Sequence, residues 1–152
     1  MEFNGKAVYF VAVKIFLRRG DELLLLHDIF DTWELPGGRI KLDEWQKPLV
    51  ETVARKLRKE LGDEVKYSTP KPTGTFFQVS RTEKTAEQEQ EVRIFAIGFE
   101  AEYLGGEIKL SEIHDAKKWV DVRDFKPLEL QNNDWMHGVE GYLKSLESKE
   151  VE

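Results

Sequence analysis

The feature that most constrains this chain is the passage over residues 33–62, WELPGGRIKLDEWQKPLVETVARKLRKELG. Pro36 stops a short extended segment, and two glycines follow at once, read as a tight turn. A charged loop then leads to a helix predicted to open at Pro48, whose missing N–H has no helical partner in a first turn. Leu49, Val53, Leu57 and Leu61 recur at helical spacing, Val50 and Ala54 widen the apolar stripe, and Gly62 reads as its stop. Such a stripe must be buried against another layer. The last helical turn carries Glu60 back toward the glycine turn, so backbone carbonyls and a carboxylate meet at one place, a seat for a cation and a polyphosphate.

The flanking segments favour strands. Residues 6–17, KAVYFVAVKIFL, are rich in β-branched and aromatic side chains, and Arg19-Gly20-Asp21 supplies a turn before residues 23–26, which predicts a hairpin. Short strands are expected at 33–35, 65–67, 73–80, 92–99 and 118–122. Residues 81–90, polar and without apolar periodicity, are expected to form a mobile loop. A final helix over 134–146 places Val139, Tyr142, Leu143 and Leu146 on one side, and residues 147–152 are expected to fray. Strands on both sides of one strong helix, with a second helix at the end, predict an α+β fold with a mixed sheet covered on both faces.

A chain of 152 residues is read as a single domain over 1–152 that buries enough surface to need no disulfide. The absence of cysteine excludes thiolate nucleophiles and Cys-based zinc sites and agrees with a cytoplasmic location. The formal charge of -6, with both signs interspersed, gives no basic stripe for a nucleic-acid polymer, although a small nucleotide needs only a local positive pocket. The apolar run over 7–13 is too short for a membrane span and lacks a signal-peptide pattern.

Gly38 and Glu44 enclose five residues, and Arg55, Leu57, Glu60 and Gly62 follow in order. Together with the upstream WELPGG, the passage resembles the Nudix box of hydrolases acting on nucleoside diphosphates linked to another moiety. The resemblance implies an α/β/α sandwich around a central mixed sheet and a bound Mg²⁺ or Mn²⁺. It also has departures. Ten residues separate Glu44 from Arg55, three more than in the pattern, with Trp45, Gln46 and Lys47 read as a longer loop. Two of the three helix glutamates that hold metal in the family are Lys56 and Lys59 here. An ammonium offers no oxygen ligand and repels the ion, so a single ion at most is expected.

By resemblance, Glu60, the Gly37 carbonyl and Glu44 are the candidate metal ligands, and Gly37, Gly38, Arg39 and Lys56 the candidate substrate contacts. Lys56 is read either as a solvated charge or as a partner of Glu60 or of a phosphate, four residues apart on one helical face. Lys59 is read as a solvated charge. Arg55 takes the family's supporting role beside the glutamates, and Glu51 is its expected helical ion-pair partner. In LSEIHDAKKWV, residues 110–120, Glu112 and His114 resemble a segment found in many Nudix proteins. A carboxylate there can activate water, and a histidine suits proton transfer, although an incidental surface loop reads equally well. Phe30, Phe76, Phe77 and Trp135 border predicted loops, where they either stack a base or fill the core. His27 and His137 are read as surface or packing residues.

Three functions follow. The first is metal-dependent attack of water on a nucleotide sugar or related nucleotide, with Glu60, His114, Glu112 and Arg55 as catalytic candidates. The second is attack at the sugar carbon. GDP-mannose mannosyl hydrolases, to which the chain is similar at Gly37, Glu60, His114 and Asn132-Asn133 but not at Ile113, use a single Mg²⁺ and a histidine base. The third is a Nudix-fold module that binds a nucleotide without cleaving it. The expected partner is a small nucleotide, with no nucleic-acid polymer and no membrane, and a homodimer is one option for assembly.

Overall fold

The computed structural model describes residues 2–151. After a small ladder of β1 (Glu2–Phe3) and β2 (Lys6–Ala7), an eight-stranded sheet is built from β3 (Phe10–Arg19), β4 (Glu22–Asp28), β5 (Trp33–Glu34), β6 (Gly37–Arg39), β7 (Lys66–Tyr67), β8 (Lys71–Lys84), β9 (Glu89–Gly105) and β10 (His114–Asp121). The central path runs β10-β4-β3-β9-β7, with β5 on β4, β6 on β3 and β8 on β9. β3 and β9 are parallel, from Phe10 against Ile94 to Arg18 against Glu102, and the other pairs are antiparallel, so the sheet is mixed. Helices α1 (Leu49–Leu61), α2 (Pro127–Leu130) and α3 (Asp134–Val151) complete the chain.

The period-two alternation of strands decides the layers. In β3 and β4, Val13, Ile15, Leu17, Leu24 and Leu26 point to one face, where Val53, Leu57 and Leu61 of α1 cover them with Phe99 and Ala101 of β9. Ala12, Phe16, Leu23 and Leu25 point to the other, under Trp135, Met136, Val139 and Tyr142 of α3. The fold is thus the α/β/α sandwich. Each fully buried leucine of β4 contributes roughly 1.5–3 kcal/mol by leaving water. No helix among the described residues is long and apolar enough to cross a membrane.

Several boundaries differ from the sequence reading. Pro48 caps α1 instead of opening it, and Val50 is 40% exposed, because the helix turns its Thr52, Val53, Leu57, Glu60 and Leu61 face inward. Residues 6–17 split at positions 8–9 into β2 and β3. The span 81–90 is a continuation of β8 and β9, paired from Arg81 against Val92 to Lys84 against Glu89, since cross-strand pairing on an extended hairpin needs no apolar period. Helix α3 continues to Val151, through most of the expected tail, and residue 152 lies outside the described residues.

The double glycine is a strand as well. Gly37 and Gly38 lie in β6, opposite Lys14 and Val13 of β3. Gly37 has φ 143°, and a Cβ there would lie 2.1 Å from the Val13 carbonyl oxygen. This position therefore demands glycine for backbone approach, and the approach fixes β6 against the middle of the sheet.

Candidate functional site

Lys14 interrupts the apolar alternation of β3. It is in phase with Ala12 and Phe16, under α3, and is only 4% exposed. Such a charge must be paired. Its Nζ donates to the Leu35 carbonyl at 3.1 Å, lies 3.7 Å from Glu34 Oε2, and sits 4.4 Å from the centre of the Trp135 ring.

Glu34, brought in by β5, is the hub. Its carboxylate accepts a hydrogen bond from His114 Nε2 at 2.8 Å, so Nε2 carries the proton when Glu34 is ionised. Burial pushes the Glu34 carboxyl up, but the Lys14 charge and the His114 hydrogen bond outweigh it, and the net shift is downward. His114 opens β10 and is buried; its Nδ1 faces Ser111 Oγ at 3.4 Å and Glu60 Oε2 at 3.8 Å. Glu60, buried in the last turn of α1, accepts the Gly37 N–H on Oε1 at 2.7 Å. What Gly37 gives Glu60 is therefore its amide.

Glu34, Glu60 and His114 have ligating atoms within 4.8 Å of one another, a grouping that could hold a metal ion. They open on a cavity of about 250 Å³ whose wall includes Lys14, Phe30, Gly37, Gly38, Arg39, Lys56, Arg81, Ile113 and Trp135. The Lys56 side chain lies across Gly38, where a Cβ would come within 2.3 Å of its Cε. Burial lowers the Lys56 pKa, opposed by the charge of Glu60 and aided by Lys59.

Of the sequence-predicted residues, the fold gathers Gly37, Gly38, Arg39, Lys56, Glu60 and His114 around this cavity. It does not bring Glu44 there. Both Glu44 oxygens are held by Arg55, at 2.7 Å and 2.8 Å, and one also accepts the Lys41 N–H. Glu44 is consequently a clamp on the loop before α1 rather than a metal ligand. Arg55, which also donates to the Arg39 carbonyl, serves the same clamp and does not line the cavity, and Glu51 is not its partner. Glu112 is exposed one turn ahead of His114 and does not line the cavity either.

Lys59 is exposed, as expected of a solvated charge. Among the aromatic candidates, Phe77 and Trp135 belong to the core and Phe76 stacks on Phe95, whereas Phe30 is 71% exposed beside the cavity. His27 bridges Asp115 and Asp31, and His137 meets Asn132.

Sequence reasoning missed Lys14, Glu34 and Arg81. The first two carried a signal: a lone charge inside a strand pattern, at a position whose phase is buried. Arg81 was hidden by the reading of its segment as a loop.

The family model described as NUDIX domain matches residues 8–138. No curated protein matches the sequence. Among solved structures, the MutT protein from Methanosarcina mazei Go1 is 23% identical, with a TM-score of 0.67 over 95% of this chain and 97% of that one. A MutT NUDIX hydrolase from Burkholderia pseudomallei is 19% identical, with a TM-score of 0.63 over 91% and 98%. An ADP-ribose pyrophosphatase from Streptococcus suis 89-1591 is 16% identical, with a TM-score of 0.58 over 91% and 92%.

Proposed function

Because this chain belongs to the Nudix family, we propose that it hydrolyses a nucleoside diphosphate linked to another moiety, a nucleotide sugar or related nucleotide, by metal-dependent attack of water. The observation that carries this reading is the convergence of Glu34, Glu60 and His114 on a cavity also walled by Lys56, Arg39 and Arg81. The names of similar structures, an ADP-ribose pyrophosphatase among them, agree with that substrate class.

Two carboxylates and an imidazole fit one divalent ion, Mn²⁺ or Mg²⁺, with the Gly37 carbonyl as a further oxygen donor. When bound, the ion acidifies a coordinated water and screens phosphate charge. The protein's own groups do the rest. Glu60 is anchored through Oε1 to the Gly37 N–H, which leaves Oε2, 3.8 Å from His114 Nδ1, to act on ion or water. Lys14 holds Glu34 ionised and in place, while Lys56, Arg39 and Arg81 take phosphate oxygens. Phe30 offers an exposed ring for a base.

Purified protein incubated with nucleotide sugars, ADP-ribose and nucleoside triphosphates, with Mg²⁺ or Mn²⁺, should turn over at least one of them. Absence of turnover across the panel by a folded protein rejects the proposal. Glu60→Gln retains an oxygen for the Gly37 N–H and should still fold. It should lose more activity than the roughly 10- to 100-fold typical of removing a partner outside the ligand set.

Attack at the sugar carbon is a second reading, favoured by the His114–Glu34 hydrogen bond, which orients an imidazole as a base. In ¹⁸O water it puts label in the sugar, whereas attack at phosphorus puts label in phosphate. Binding without cleavage is a third, favoured by the two lysines beside the carboxylates, and it predicts saturable nucleotide binding with no turnover.

A further inference from the structure

The cations around the cavity are not equally committed. Lys14 is engaged by Glu34, the Leu35 carbonyl and the Trp135 ring. Lys56 is different: it is half-buried over Gly38, faces the cavity, and makes no hydrogen bond or ion pair among the described residues. Arg39 of β6 and Arg81 of β8 share a single anion. Arg39 Nη2 lies 2.5 Å and Arg81 Nε 3.8 Å from the same oxygen, Oε1 of Glu83. Both arginines also line a second, outer cavity with Phe30, Glu83 and Lys84, so the two cavities adjoin along them.

We infer that Lys56, Arg39 and Arg81 form a diphosphate-binding site that works without a divalent ion, and that Glu83 stands on the two guanidiniums where a phosphate oxygen binds. The inference rests on the reading of this cavity as a nucleotide site but not on cleavage. A guanidinium presents the same fork of donors to a carboxylate and to a phosphate, so an incoming diphosphate competes with Glu83 for donors already in position. Glu83 is 30% exposed on the β8–β9 hairpin and can exchange its partners for water. The ammonium of Lys56 supplies a further charge deeper in the cavity, at the position where the family pattern has a metal-binding carboxylate. Positive charge fixed in the protein thereby does for binding what an ion would otherwise do.

The test is calorimetric titration of the full chain with inorganic pyrophosphate in EDTA, then with Mg²⁺ in place of EDTA. Binding is expected in EDTA. Lys56→Gln should weaken it on the order of tenfold, and Glu83→Gln should tighten it by about threefold or more. A gain in affinity cannot come from misfolding. Binding that appears only with Mg²⁺, or a Glu83→Gln protein that binds no more tightly than the parent, overturns the inference. Neither result bears on hydrolysis, which the turnover panel judges separately: a protein that cleaves nucleotides yet binds pyrophosphate only through Mg²⁺ keeps the hydrolase reading and loses this one.

Discussion

Lys14 Nζ lies 3.7 Å from Glu34 Oε2, with both side chains nearly closed off from water at the floor of the cavity. Their separation from solvent makes the pair costly to form and costlier to break singly. Lys14→Met should destabilise the fold by about 3 kcal/mol, because it leaves a buried carboxylate without its cation. The double variant Lys14→Met with Glu34→Gln should recover part of that loss, since no uncompensated charge remains. Urea unfolding of the parent, both single variants and the double variant measures the coupling; purely additive effects would show that the two residues act independently.

Gly37 and Gly38 are neighbours in β6 with opposite tolerances. A Cβ on Gly37 meets the Val13 carbonyl oxygen at 2.1 Å on a backbone with φ 143°, so Gly37→Ala should cost more than about 2 kcal/mol or prevent folding. A Cβ on Gly38 meets only the end of the Lys56 chain, at 2.3 Å from Cε, and a flexible lysine can swing aside. Gly38→Ala should therefore keep most of the stability and lose phosphate affinity. Thermal midpoints and pyrophosphate titrations on the two variants separate these outcomes.

Acid and mild alkali should act through different residues. Arg55, aided by the Lys41 N–H, holds the Glu44 carboxyl down at about 2 against an ordinary 4.5. The folded protein binds fewer protons there than the unfolded chain, so this clamp contributes fully above about pH 4.5 and fades as pH falls through about 2. His27 runs the other way. Asp115 and then Asp31 raise its pKa above 6.5, so its contribution is complete below that value and is lost as pH rises through the folded one. Urea midpoints followed across pH should show Glu44→Gln removing part of the acid limb and His27→Asn part of the alkaline one.

Much of the framework was legible because its signals are local. The 3.6-residue recurrence of Leu49, Val53, Leu57 and Leu61 and the stop at Gly62 describe α1 almost to the residue. The apolar runs 6–17 and 23–26 marked β3 and β4, although β3 starts only at Phe10 and both strands run further than the sequence suggested. The site was legible only in half. Glu60 and His114 stood in recognisable surroundings, whereas Lys14 and Glu34 showed only as lone charges within strand patterns, and the pairing of β5 with β4 that brings Glu34 in is not a local signal. Glu44 was read as a metal ligand from its spacing to Gly38, a pattern that does not reveal that Arg55 holds both its oxygens in the fold. The distal end of the β8–β9 hairpin, over residues 81–90, was hidden because a ribbon of polar residues has no apolar face to announce it.

The parallel register of β3 and β9 has a consequence for how the protein comes into being. Phe10 pairs with Ile94 and Arg18 with Glu102, so most of the chain must be looped out before the central ladder can close. Closure entropy opposes that step, and contacts of such long sequence separation slow folding. The α1 helix and the β8–β9 ribbon, by contrast, are built from near neighbours in sequence. Arg39 reaches the cavity on β6, paired to β3, and Arg81 on β8, paired to β9, so the phosphate-facing cations come together only through this one long-range pairing.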